Sequence, residues 1–63
     1  MVTYTFFCLP NGMYETYRGA AYLGPIELAG KTKRERAASF LVGREFIVCR
    51  GPAHIIVVLT EEE

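Results

Sequence analysis

The chain reads as an α+β domain, one short helix packed on a four- or five-stranded, mostly antiparallel sheet. Three observations predict this. β-branched and aromatic runs stand near both ends, VTYTFFCL over 2–9 and HIIVVLT over 54–60. Turn signals adjoin them, Pro10-Asn11-Gly12 and Gly51-Pro52. A single capped helical stretch lies between, opening at Thr32 and stopping at Gly43. The order is strand, strand, a short strand of uncertain extent, helix, strand, strand. An OB-type barrel also sets a helix between its third and fourth strands and is the alternative.

Residues 2–9 fit a pleated, half-buried surface. Pro10 presets φ for the first corner of a type I turn, Asn11 suits the second, and Gly12 accepts the left-handed position of a bulge. The result is a three-residue hairpin loop returning through residues 13–18, with Leu9 opposite Met13 and Phe7 opposite Glu15. One face then carries Val2, Tyr4, Phe6, Cys8 and Tyr14, the better core face. The other carries Thr3, Thr5, Phe7, Leu9, Met13, Glu15 and Tyr17. Residues 19–25 are expected to continue the second strand to a Gly24-Pro25 turn, with 26–29 as a short strand closed by Gly30.

Thr32-Lys33-Arg34-Glu35 matches a capping box, in which the Thr hydroxyl accepts from the N3 amide and Glu35 reaches back to the cap amide. Ala37, Phe40 and Leu41 share one stripe behind it. About three turns long, this helix does not persist alone and must pack on the sheet. In REFIVCR, over 44–50, Phe46 and Val48 point one way, and Glu45, Ile47 and Cys49 the other. HIIVVLT is apolar on both faces, the mark of a strand buried on both sides in mid-sheet. Glu61 to Glu63 is expected to fray.

Sixty-three residues make one domain, spanning 1–63, and exclude a nucleotide-binding α/β domain or two lobes around a cleft. An apolar fraction of 51% excludes a disordered chain. Seven basic and seven acidic residues give zero formal net charge, without the footprint of a general nucleic-acid binder. Cys8 and Cys49 both lie in apolar runs, where a free thiol behaves as a small buried hydrophobe, so buried thiols are expected rather than a disulfide. The amino terminus has no basic segment before its apolar stretch, and no run approaches the roughly 20 residues that span a bilayer. A soluble, cytoplasmic protein without membrane contact is therefore expected.

Charge is segregated along the chain: six of the seven cations fall within 31–50. Lys31, Lys33, Arg34 and Arg36 crowd the amino end of the helix, where the macrodipole is already positive, and Arg44 and Arg50 follow. These six are the candidate anion- or partner-binding residues. The competing reading is a solvated face bearing a small penalty screened by salt. Replacing Lys31, Lys33 and Arg34 by Gln is then expected to leave stability level or raise it. Gly30-Lys31-Thr32 is not a phosphate loop, because five residues rather than four separate it from Gly24. Of the aromatic residues, Phe6, Phe40 and Phe46 suit the core. Phe7, Tyr17 and Tyr22, with Met13, suit an apolar interface left open by a single helix.

Catalysis is not expected. His54 stands alone at a strand entry, Asp is absent, and no metal-ligand spacing occurs. No cofactor or metal is implied. The reading is a small regulatory or inhibitory protein that binds another protein carrying an acidic patch and self-associates, a dimer being favoured. The alternative is a nucleic-acid-binding domain, with the six cations on phosphates and Tyr14 or Tyr17 stacked on bases.

Overall fold

Five strands join in one open antiparallel sheet in the order β3-β2-β1-β5-β4, and one helix lies across it. The strands are β1 (Val2–Cys8), β2 (Tyr14–Arg18), β3 (Ala21–Ile26), β4 (Phe46–Cys49) and β5 (Ile55–Thr60); the helix is α1 (Lys33–Phe40). This computed structural model describes residues 1–52 and 54–61. The acidic tail beyond Glu61 lies outside the described residues. The α+β class is as the sequence predicts. The sheet runs from a β3 edge to a β4 edge rather than closing into a barrel.

The first hairpin has the expected register, with Phe7 opposite Glu15. The Leu9 amide donates to the Met13 carbonyl at 2.7 Å and the Gly12 amide to the Leu9 carbonyl at 3.0 Å; Gly12 sits at φ +89°. Asn11 Oδ1 accepts from the Met13 amide at 2.9 Å, which holds the return strand in place.

The region from 19 to 30 departs from expectation. The second strand ends at Arg18, and Gly19-Ala20 forms a two-residue turn with Gly19 at φ +60°, the positive φ that a II′ turn needs at its first central position. Gly24-Pro25 is not a turn but lies inside β3. An edge strand tolerates a residue with no amide hydrogen, and a register shift between Thr16 and Tyr17 absorbs the irregularity. Residues 27–29 form no strand, although Leu28 is buried.

The helix begins as read, with Thr32 Oγ1 accepting from the Glu35 amide at 3.1 Å. Glu35 reaches one residue farther back than a capping box requires, accepting from the Lys31 amide at 2.7 Å. The Leu41 amide closes the helix on the Ala37 carbonyl, and Gly43 at φ +77° turns the chain away. Ser39 bridges layers: its hydroxyl accepts from the Ala29 amide at 3.2 Å and donates to the Arg36 carbonyl at 2.7 Å.

Every buried residue lies beneath this helix layer or within it. Tyr4, Phe6, Tyr14, Thr16, Ile56, Val58 and Thr60 come from the sheet; Leu28, Ala37 and Leu41 come from the helix and its flanks. Phe40 is the helix's anchor, meeting the Phe6 ring edge to face at 5.5 Å and the Tyr4 ring at 5.8 Å. Such contacts add about 0.5–1.5 kcal/mol each beyond the area buried.

Two expectations about burial fail. β5 is an interior strand, but only Ile56, Val58 and Thr60 are buried; Ile55, Val57 and Leu59 on its other side are half-buried. The central strand is β1. Cys8 is exposed and Cys49 half-buried, rather than both being buried. The helix covers one face only, which leaves Cys49 and the outer side of β5 uncovered; Cys8, on the helix side, is exposed at the end of β1. By alternation the two thiols lie on opposite faces of the sheet, and both are free.

Candidate functional site

Strand alternation determines which side chains stand on the uncovered face. β1 contributes Thr3, Thr5 and Phe7, and β5 contributes Ile55, Val57 and Leu59 opposite them. β4 adds Ile47 and Cys49, β2 adds Glu15 and Tyr17, and β3 adds Tyr22 and Pro25. None of these twelve residues is buried, whereas the opposite face holds the core. Ile47 is 66% exposed, Tyr22 52% and Phe7 41%. An apolar sheet face of this extent is unusual on a solitary soluble domain.

An aromatic ladder crosses three strands of this face. The Phe7 and Tyr17 rings meet edge to face at 5.9 Å, and Tyr17 meets Tyr22 at 5.2 Å. Beside the ladder, Thr5, Phe7, Glu15, Tyr17 and Gly19 line a shallow hollow of about 400 Å³. The Glu15 carboxylate accepts a hydrogen bond from the Tyr22 hydroxyl. That bond, reinforced by partial desolvation and the carboxylate's charge, pushes the Tyr22 pKa up to about 12 from its ordinary 10.0. At neutral pH the Tyr22 hydroxyl is therefore a neutral donor.

Three of the four expected interface residues, Phe7, Tyr17 and Tyr22, are thus brought together. Met13 stands apart at the hairpin tip, half-buried. The sequence reading missed Ile47, Ile55, Val57 and Leu59, which complete the face on the β5–β4 side. The signal was present in the alternation of REFIVCR and in the two-sided apolarity of HIIVVLT. That two-sidedness reads equally well as a strand with both sides buried.

Of the six candidate cations, Lys31, Lys33, Arg34 and Arg36 lie on the helix and its approach, while Arg44 and Arg50 flank β4, where Arg44 lines a hollow with Ile47 and Leu59. The Lys33 ammonium is engaged by the chain itself, donating to the Gly51 and Pro52 carbonyls at 3.0 and 2.7 Å. It straps the helix start to the β4–β5 connection, a role in stability that the macrodipole argument does not contain. The Arg34 guanidinium lies 5.2 Å from the Phe46 ring centroid, a cation–π contact. Arg44 Nη1 donates to the Tyr4 hydroxyl at 3.4 Å, near the limit for such a bond. Lys31 and Arg50 are exposed and Arg36 is half-buried. The stacking candidates do not join them: Tyr14 is buried in the core, and Tyr17 is on the opposite face.

No helix is long and apolar enough to cross a membrane among the described residues. Compared with protein-family models, curated proteins and solved structures, the chain finds no match.

Proposed function

We propose that this is a small non-catalytic regulatory or inhibitory protein that works by protein–protein binding, with the open sheet face as its docking surface. The observation that carries the reading is the contrast between the two faces of one sheet. Both are apolar, yet one is sealed by α1 and the other is uncovered from Ile47 to Tyr22. Aromatic and aliphatic groups with few charges are the composition of an interface centre. Phe7, Tyr17 and Tyr22, already packed against one another, offer rigid rings with little rotamer entropy left to lose.

A photo-cross-linking side chain tests this. Placed at Tyr17 of the full chain in its own cells, it is expected to form a protein adduct on irradiation. Placed at Val42, which is 77% exposed in the turn after the helix, it is expected to form none. Equal labelling from both positions, or none from Tyr17, overturns the reading.

Nucleic-acid binding is the second reading, favoured by the gathering of cations on the helix and its approach. It draws less support, because Tyr14 is buried in the core and the Lys33 ammonium is taken up by the Gly51 and Pro52 carbonyls. Titration with oligonucleotides at two salt concentrations distinguishes it, since phosphate contacts weaken steeply with salt.

A further inference from the structure

We infer that the partner docked on the open face presents an arginine side chain to Glu15, its guanidinium paired with the carboxylate and laid against the neighbouring rings. The inference rests on the docking reading above and gives the chemistry of the group that is received.

The composition of the face is the first argument. Of its twelve residues Glu15 is the only acidic one, and none is Lys or Arg. The register sets Glu15 inside the ring cluster rather than at its margin. Phe7 stands directly opposite it on β1 and Pro25 directly opposite on β3. Tyr17 and Tyr22 form the next rung on the same face, and the Tyr22 hydroxyl reaches across to donate to the carboxylate. Three rings in a contact chain and one carboxylate therefore share a single patch, with Thr5 and Gly19 completing the hollow beside it.

Desolvation is the second argument. Any surface that covers these rings also takes the Glu15 carboxylate out of water. A carboxylate accepts at about four lone-pair positions, and the Tyr22 hydroxyl fills one. Under an apolar partner the others would stay unpaired, and a buried charge without a partner is strongly disfavoured. A neutral amide or hydroxyl would supply hydrogen bonds but no opposing charge. A cation supplies both, in the stronger charge-assisted form.

The rings select between the two cationic side chains. A planar guanidinium donates two parallel hydrogen bonds to one carboxylate and stacks on an aromatic face, and it is more weakly hydrated than an ammonium. Phe7 offers such a ring on the rung of Glu15, and Tyr17 and Tyr22 on the next. The face is thus apolar over most of its extent, with one place that asks for a positive charge.

Nuclear magnetic resonance titration of the isotope-labelled full chain tests the inference. The probes are N-acetyl-arginine amide, its uncharged citrulline counterpart and its lysine counterpart. The arginine probe is expected to shift the amides of Glu15, Tyr17 and Gly19 saturably, with a dissociation constant of about 1–10 mM, which a fragment of that size allows. Citrulline, which keeps the shape and loses the charge, is expected to bind about tenfold more weakly, and lysine about threefold more weakly. Glu15→Gln is expected to weaken the arginine probe about tenfold. Tyr22→Phe, which removes the hydrogen bond but keeps the ring and the carboxylate, is expected to change it by less than about threefold. Equal binding of arginine and citrulline, or of arginine and lysine, overturns the inference, and this comparison on the wild type needs no variant to fold. So does the absence of a saturable shift up to about 50 mM, or a loss in Tyr22→Phe as large as in Glu15→Gln. Cross-linking from Tyr17 separates this failure from that of the docking reading. An adduct that Glu15→Gln diminishes supports the arginine contact. An adduct indifferent to Glu15→Gln keeps the docking surface and removes the arginine, and no adduct removes both.

Discussion

Gly30 shows how much one backbone position can decide. Its φ of +139° lies where side chains are rarely tolerated, and a Cβ there would come within 2.6 Å of Glu35 Cβ and 2.9 Å of the Arg36 amide nitrogen. The chain folds back so closely on the helix start that only glycine fits. Gly30→Ala is therefore expected to destabilise by about 1–3 kcal/mol, combining strain with displacement of the cap. A urea melt checks it, and an unchanged midpoint would show that the loop relaxes without cost. Tyr22 provides a pH-dependent counterpart. Its pKa is raised to about 12 in the folded chain by the bond to Glu15, against 10.0 for a free tyrosine. The neutral hydroxyl is the form the fold prefers, so its contribution is fully present below pH 10 and is lost as pH rises through 10 to 12. Phenolate absorbance is expected to show one late-titrating tyrosine, which Glu15→Gln returns toward the ordinary value. A wild-type titration without that late step would mean that the hydroxyl does not donate to Glu15.

At the scale of the element, α1 is a helix that its own sequence barely supports. Eight residues lie below the length at which isolated helices persist. Its first turn carries Lys33 and Arg34 at the positive end of the dipole. Three devices hold it: the local Thr32 cap and two tertiary contacts, the Lys33 strap to Gly51 and Pro52 and the Phe40 ring packed edge to face against Tyr4 and Phe6. The ring outweighs the cap: burying a large aromatic side chain is worth about 1.5–3 kcal/mol against about 1 kcal/mol for a cap, and a charged hydrogen bond falls in the same range as the ring. Phe40→Ala is expected to cost about 2–3 kcal/mol, less than a fully buried phenylalanine because Phe40 is half-exposed. Far-UV and near-UV circular dichroism should lose the helix and the aromatic signal together. Loss of the helix signal with an intact aromatic one would show that the sheet packs its rings without α1.

For the whole molecule, the decisive quantity is the ratio of helix to sheet. A chain of 63 residues buries only about 60% of its unfolded surface, and a core this small rarely supplies more than about 3–5 kcal/mol unaided. Here one side of a five-stranded sheet has a core and the other has none. The two cysteines do not relieve the shortfall, since they are free and face opposite ways. Docking on the open face would supply the missing burial and link folding to the partner. The melting temperature is then expected to rise more with added N-acetyl-arginine amide than with its citrulline counterpart, as mass action requires for a species that binds the folded state alone. A melting temperature that the two probes move alike would argue against recognition of charge at Glu15.

Local chemistry was legible in the sequence wherever a few neighbouring residues decide the structure. Pro10-Asn11-Gly12 specified its loop and the register beyond it, Thr32 specified the helix start, and strand alternation assigned Phe7 and Tyr17 to one face. Residues 19–30 were not legible, because Gly24-Pro25 signals a turn unless the strand containing it happens to be an edge, and edge status belongs to the sheet. Nor could the two-sided apolarity of HIIVVLT say whether its second side would be covered. Cys8 reads as buried from its neighbours and is exposed at the end of β1, on the helix side of the sheet. Which face α1 covers, how far it extends, and hence which rings stay uncovered are settled by non-local packing. Side chains distant in sequence compete for one short helix there, and local propensity carries no record of that competition.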